Sequence, residues 1–439
     1  MINIINNEDC CGCAACYLIC PKHCITMQAD QEGFLYPHVD KQTCVDCGLC
    51  EKVCHELHPY DERKPLKVLA AINKDEKIRM QSSSGGIFYV LAEKIIQAGG
   101  VVFGACFDEQ WQVIIDYTET MEGVKAFMGS KYVQARIEQA YRDAKQLLSE
   151  GRQVLFSGTP CQIAGLHHFL RKPYDNLLTV DIICHGVPSP KVWGLYLDEV
   201  IRESQRINQI EFRNKKNGWK RFGFRMAYNE GDQTVSLLTP FREDPFMKAF
   251  LQDLILRPSC YDCKAKSGRS HSDITIADFW GIQTIFPEMD DDKGTGLVFL
   301  NTDKGIRSLD TSNIHVEVTE YDRIKHLNPA CFRSPHIHPR RTAFFNQLDQ
   351  SSSVISWIEV CTRPTLKQRM ISVEYMCKRL VKRMLKGIGG GKIKNSNNPI
   401  FSSMIHVDYE IPADPTIVSI RFRNKQQGWK SYRLEIRIK

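Results

Sequence analysis

Two matching cysteine runs constrain this chain more than any other feature. Cys10, Cys13, Cys16 and Cys20 stand at C-x2-C-x2-C-x3-C spacing, and Cys44, Cys47, Cys50 and Cys54 repeat it. Three thiolates on one tight loop can each reach a different iron of a cubane, and the fourth iron takes a ligand from farther off. The spacing therefore assigns Cys10, Cys13, Cys16 and Cys54 to one [4Fe–4S] cluster, and Cys44, Cys47, Cys50 and Cys20 to a second. Gly12 and Gly48 free the backbone to bend close to inorganic sulfur. Zinc also suits Cys-x2-Cys pairs, but it calls for separated pairs rather than two complete four-cysteine runs. His55 stands where a second proline, the counterpart of Pro21, is expected. Cys11 and Cys24 are surplus to ligation and read as small packing residues.

The remaining cysteines fit the same chemistry. The 439 residues hold 18 cysteines, ten of them before residue 61. No basic n-region with an apolar stretch opens the chain, and no apolar run approaches the ~20 residues that span a bilayer. A cytoplasmic protein is expected, and in a reducing compartment so many thiols point to metal or redox chemistry rather than to disulfides. With 43% hydrophobic and 25% charged residues, the chain is globular rather than disordered.

Charge is divided unevenly. Residues 1–60 carry three basic and eight acidic groups, whereas residues 361–439 carry seventeen basic and five acidic. The basic tail suits an acidic partner or peripheral contact with the inner face of a membrane. Nucleic acid is not the expected partner.

The organisation follows from these shifts. Residues 1–60 form the cysteine-rich head, and a charged connector, Pro59–Pro65, closes it. Residues 67–348 alternate strand-like runs (VLAAI, GGVVFGACF, QVLFSG, LLTVDIIC) with helical ones (IFYVLAEKIIQAG, IEQAYRDAKQLLSEG), which predicts an α/β domain with a covered sheet. Residues 349–439 form a basic C-terminal extension. Its Met370–Lys386 stretch has the period of an amphipathic helix, read as a surface helix packed on the core ahead of a membrane-surface one. One element is duplicated: FRNKKNGWK (Phe212–Lys220) recurs as FRNKQQGWK (Phe422–Lys430), and the first copy reads as a hairpin with Asn217–Gly218 as its two-residue turn.

Several body loops have the character of binding elements. Ser82-Ser83-Ser84-Gly85-Gly86 precedes a helix, where amides and hydroxyls can hold an anion. Gly129-Ser130-Lys131-Tyr132 joins a flexible backbone to a cation and an aromatic ring. Gly158, Thr159 and Cys161 close one strand, Cys184-His185-Gly186 closes the next, and Cys260-x2-Cys263 follows. His185 is the one weak candidate for a catalytic acid, with packing as its plainer role. His336 and His338 read equally as loop residues.

Taken together, SSSGGIF, GSKYVQ, SGTPCQIAGL, DIICHGVP, SCYDCKAKSGRSHSDITIADFWG and KGTGLVFLNT resemble the coenzyme F-420 hydrogenase/dehydrogenase beta-subunit family over roughly residues 67–348, behind a bacterial-type dicluster ferredoxin head. The resemblance implies an α/β flavin-binding domain carrying FAD and a third [4Fe–4S] cluster on Cys161, Cys184, Cys260 and Cys263. Ser83, Ser84, Gly85, Gly86, Gly129, Ser130, Lys131 and Tyr132, with Gly158 and Thr159, become the implied FAD contacts. Asp278, Trp280 and Gly281 match a motif too, with packing as the plainer role of Trp280. The function implied is an iron–sulfur flavoprotein oxidoreductase, exchanging electrons with a ferredoxin, a partner subunit or a soluble two-electron carrier. Two alternatives are an electron relay without its own small substrate and an accessory of membrane or polysaccharide biosynthesis with a decayed flavin site.

Overall fold

A computed structural model describes residues 1–202 and 205–364, and the backbone of three strands at 405–410, 417–424 and 430–437. The head holds a hairpin of β1 (Ile25–Ala29) and β2 (Leu35–Val39). The body begins with β3 (Lys67–Asn73), β4 (Val101–Phe107), β5 (Val113–Thr118), β6 (Val154–Gly158) and β7 (Leu177–Ile182). There follow β8 (Gln205–Asn214), β9 (Gly223–Glu230) and β10 (Gln233–Pro240), then β11 (Ile274–Asp278), β12 (Gly296–Leu300) and β13 (Ile314–Thr319).

Eight of these strands form one sheet in the order β13-β3-β12-β11-β7-β6-β4-β5, and β8, β9 and β10 form a separate antiparallel sheet. The centre of the large sheet, β4-β6-β7-β11, is parallel, and the flanking pairs are antiparallel. The mixed α/β architecture expected of the body is present. Each expected apolar run is a strand because alternate residues feed opposite faces. Val101, Phe103, Val154 and Phe156 enter the core on one face, and Val102, Leu155, Leu178 and Val180 enter the core on the other. Burial of each such phenylalanine contributes about 1.5–3 kcal/mol, so a sheet covered on both faces is the stable arrangement.

Helix Ile87–Gln97 covers one face through Val90 and Leu91. Helices Ala140–Ser149 and Pro160–Leu170 cover the other through Tyr141, Ile163 and Leu166. Pro160–Leu170 starts at the carboxyl end of β6, with Thr159 and Gln162 in a reciprocal capping box. That start places Cys161 in the first turn, at the sheet edge where α/β ligands collect.

The head is docked on this body. Cys11, Cys13, Ala15, Leu18, Phe34 and Val53 share one apolar core with body residues. The connector is held in place as well. Tyr60 stacks between His168 and His271, at 4.5 and 4.3 Å between ring centroids, and Arg63 bonds the Ser272 carbonyl.

The first copy of the duplicated element corrects the expected two-residue turn. Strand pairing ends at Asn214 and Gly223, so residues 215–222 form a longer loop. Asn217 and Gly218 lie in a local turn within it, closed by the Gly218 N–H on the Lys215 carbonyl. The loop opens because Lys215 and Trp219 reach away from the strands to partners across the body.

Residues Met1–Arg363 form one compact unit and Pro364–Lys439 a second. The second contains an antiparallel sheet of β14 (Ile405–Glu410), β15 (Ile417–Asn424) and β16 (Lys430–Arg437). The second copy begins at the end of β15, as the first begins at the end of β8, and its last residue, Lys430, opens β16. The Met370–Lys386 helix lies outside the described residues.

Candidate functional site

The head thiols gather in two nests, each mixing the two cysteine runs. Cys10, Cys13, Cys16 and Cys54 line one cavity with Cys11, His55 and Glu56. Cys20, Cys44, Cys47 and Cys50 line another with Cys24 and Pro21. The fourth cysteine of each run thus stands in the other run's nest. Both loops turn through left-handed glycines, Gly12 at φ +72° and Gly48 at φ +70°. A side chain at Gly12 would also meet the guanidinium of Arg257 at 2.8 Å.

The chemistry of the donors fits a multi-iron group. Among the described residues, no three His, Cys, Asp or Glu side chains converge on a single metal ion. The thiols stand around cavities instead. In the first nest, burial pushes the Cys16 thiol up, and it does the same to Cys10 against the opposing charge of Arg257. His55 is fully buried there, and among the described residues neither ring nitrogen has a partner. In the second nest, the Ile2 N–H donates to Cys50 Sγ at 3.2 Å and the Asp46 N–H to Cys44 Sγ at 3.4 Å. Cys47 is exposed, so this nest opens to solvent.

The body cysteines converge too. Cys161 lies in the first turn of its helix, Cys184 follows β7, and Cys260 lies within the turn Pro258–Asp262 that Cys263 caps. Burial raises three of the thiols, Cys184 to about 12, Cys263 to about 11 and Cys260 well up, while Cys161 is raised first by its contact with Cys11 and then by burial. Cys184, Cys263 and Cys161 each push Cys260 up further, because the four lie within electrostatic reach of one another. The Val187 N–H donates to Cys260 Sγ at 3.4 Å. Cys184 and Cys263 also open on a cavity lined by Arg63, Asp181, Lys266 and Cys331.

The first head nest abuts the body nest. A Cβ on Gly165 would lie 2.9 Å from Cys13 Sγ, so only glycine lets the head approach that helix. The Cys11 thiol neighbours those of Cys13 and Cys161 and is pushed well up, first by Cys13. Glu56 is buried beside Cys11 and lies 3.7 Å from Lys264.

The candidate FAD contacts divide. Ser83 Oγ lies 2.9 Å from Ser130 Oγ and accepts the Ser130 N–H at 2.7 Å, joining the two loops. Ser84 Oγ donates to the Thr295 carbonyl, and Gly85 packs on the Ala71 and Gly296 backbones. Gly86, at φ +81°, begins helix Ile87–Gln97 without a side-chain cap. Gly129 has the same left-handed turn. Lys131 donates to the carbonyls of Ala126 and Met128, and burial lowers it to about 7. Tyr132 stacks on Phe250 at 4.6 Å. Gly158 and Thr159 sit at the helix cap, with Thr159 Oγ1 3.2 Å from Cys161 Sγ. His185 pairs with Asp253 at 2.5 Å.

Three residues around these loops went unread in the sequence, and all lie in the first repeat copy. Lys215 Nζ donates to the carbonyls of Arg79, Ser84 and Lys293. Arg213 is buried, pairs with Asp278 and packs over Phe222, while among the described residues its Nε and Nη2 have no partner. Trp219 Nε1 donates to Asp278 at 2.8 Å, and its ring stacks on Trp280 at 4.8 Å. The duplication was the available signal, since Arg, Lys and Trp recur at the same places in both copies.

Cysteines at the carboxyl ends of the parallel strands β6 and β7, with a cysteine-rich head docked on them, define the class. The body is similar to the coenzyme F420 hydrogenase/dehydrogenase beta-subunit family, and the head is similar to ferredoxins. The family described as the C terminus of the coenzyme F420 hydrogenase/dehydrogenase beta subunit matches residues 151–323. The F subunit of the F(420)H(2) dehydrogenase of Methanosarcina mazei is 21% identical over 216 residues, covering 47% of this chain and 60% of that relative. The chain therefore spans under two thirds of that relative's length. A ferredoxin of Methanocaldococcus jannaschii is 35% identical over 51 residues, covering 12% of this chain and 65% of its own. The 7Fe ferredoxin of Hydrogenibacillus schlegelii is 41% identical over 57 residues, covering 12% of this chain and 67% of its own. Both fit the cysteine-rich head. Among solved structures, a chain of the F420-reducing [NiFe] hydrogenase complex from Methanosarcina barkeri aligns with a TM-score of 0.43 and 16% identity, over 66% of this chain and 95% of that one.

Proposed function

We propose that this chain is an iron–sulfur flavoprotein oxidoreductase that moves electrons between a redox partner and a two-electron carrier. The observation that carries the reading is the contact of two thiol nests, with Cys11 between Cys13 and Cys161. Cys10, Cys13, Cys16 and Cys54 would hold one [4Fe–4S] cluster, and Cys20, Cys44, Cys47 and Cys50 a second. Cys161, Cys184, Cys260 and Cys263 would hold a third. Such clusters supply one-electron steps when bound, and FAD supplies the exchange between one- and two-electron chemistry.

The protein's own residues then set burial and spacing. Cys11 and Gly165 keep the first head nest against the body. Cys47 presents the second head nest to solvent, where a partner protein can reach it. The serine loops with Arg213 suit an acceptor-rich group such as FAD, because the unpartnered Nε and Nη2 of Arg213 are buried donors. Lys215 and Ser84 hold that loop shape. The partner is a redox protein or subunit, or a soluble two-electron carrier, the F420-linked names of the relatives being the guide to its class. No helix among the described residues is long and apolar enough to cross a membrane.

Anaerobic purification with iron, sulfide and flavin quantified together tests the reading. About twelve irons and one FAD per chain is the expected result. About eight irons without flavin would leave the head alone and end the flavoprotein proposal.

A further inference from the structure

We propose that His55 donates a ring N–H hydrogen bond to a sulfur of the cluster in the first head nest, raising that cluster's reduction potential above the value its thiolates alone would set. The inference rests on the clusters proposed for the head. His55 follows Cys54 directly and lines the same cavity as Cys10, Cys13, Cys16 and Cys54. It has no exposed surface, yet among the described residues neither Nδ1 nor Nε2 finds a partner. Such orphans are rare in folded proteins and call for a specific acceptor.

The surroundings narrow that acceptor. Apart from Glu56, the side chains on the cavity wall are sulfur-bearing or apolar. Glu56 is engaged with Cys11 and Lys264. The nearest ring, His168, lies 6.0 Å away between centroids and tilted by 45°. An imidazole carries at least one N–H in either protonation state, so His55 always has a donor to place. A hydrogen bond to cluster sulfur stabilises the more negative, reduced state more than the oxidised one, which moves the potential upward. In the second nest the equivalent position is Pro21, which has no N–H to give. The sequence position that breaks the proline pattern is thus where one cluster acquires a donor its twin lacks.

Potentiometric titration followed by electron paramagnetic resonance separates the two head clusters in the full-length protein. His55→Phe is expected to move one midpoint to more negative potential and leave the other in place, and His55→Gln, which keeps an N–H donor, is expected to recover part of the shift. With iron content intact, two unmoved midpoints overturn the proposal, as does an equal shift of both. Where His55→Phe loses iron, wild-type protein labelled with 15N-histidine decides. A nitrogen hyperfine coupling from a non-ligating ring at one reduced cluster supports the bond, and its absence at both overturns it. A preparation with zinc in place of iron in the head overturns the cluster reading and this proposal together, and metal analysis identifies that case.

Discussion

Arg257 Nε donates to the carbonyl of Cys10 at 2.8 Å, while the Arg257 carbonyl accepts the N–H of Cys260 at 2.9 Å. One fully buried residue thus joins a thiol loop of the head to a thiol turn of the body. Its other nitrogens bond Leu35 and Gln134, and its guanidinium lies 4.3 Å from the Tyr36 ring centroid. A buried guanidinium is tolerated only when its donors are satisfied. Arg257 meets that condition only when the head is docked.

Replacing Arg257 by Met should therefore cost about 3 kcal/mol or more, since three acceptors lose a charged donor at ~1–3 kcal/mol each. Chemical denaturation under anaerobic conditions measures the loss. Faster proteolysis within the head is expected alongside it, because Arg257 holds the Cys10 and Leu35 carbonyls of the head against the body.

Gly165→Val should separate the two nests. The added atoms would press on Cys13 Sγ at 2.9 Å and on the Tyr141 hydroxyl at 3.0 Å. Overpacking of this kind costs ~1–3 kcal/mol. Iron content is expected to persist, while magnetic coupling between clusters weakens in electron paramagnetic resonance spectra.

The proposed third cluster and the proposed flavin site are separable by substitution. Cys260→Ser with Cys263→Ser is expected to lower iron by about four per chain and spare the head. Arg213→Gln is expected to lower retained flavin at least tenfold with iron unchanged, read from the fluorescence of acid-released flavin. Unchanged flavin in that variant would remove Arg213 from the site.

His167 provides a pH test of the fold. Burial lowers it to about 4, and its Nε2 has no partner. The folded state holds it neutral, whereas the unfolded chain protonates near 6.5, so the unfolded state binds more protons between those values. Stability is then whole above 6.5 and is lost as pH falls toward 4. His167→Gln should flatten that decline by up to about 3 kcal/mol, at ~1.4 kcal/mol per pKa unit. Denaturation midpoints of both proteins at pH 7.5, 6 and 5 measure the difference.

Much of this was legible in the chain. Contiguous signals, such as the cysteine spacing, the apolar alternation of Val101–Phe107 and the glycine-terminated helices, correspond to local structure because a loop or strand is set by neighbours in sequence. Arg213, Lys215 and Arg257 were not legible, since an arginine or lysine is most often a solvated surface residue. Cys11 and Glu56 were missed for the same reason, as a surplus thiol and an ordinary acid gain meaning only from what lies opposite. The two-residue turn at Asn217–Gly218 failed because the partners of Lys215 and Trp219 are about 60–140 residues away in the chain.

The chain's own order determined which cysteines share a nest, because a tight loop can present only certain thiols to one centre. It also determined the β-rich body, because a period of two commits each side chain to one face. Only tertiary structure decided that the head nest lies against the body nest, that His55 is buried at the first nest with neither ring nitrogen partnered among the described residues, and that a repeat loop bonds the serine turn at Ser84. Those relations join residues far apart in sequence through burial and hydrogen bonding, and no local pattern encodes the surface on which a distant side chain comes to rest.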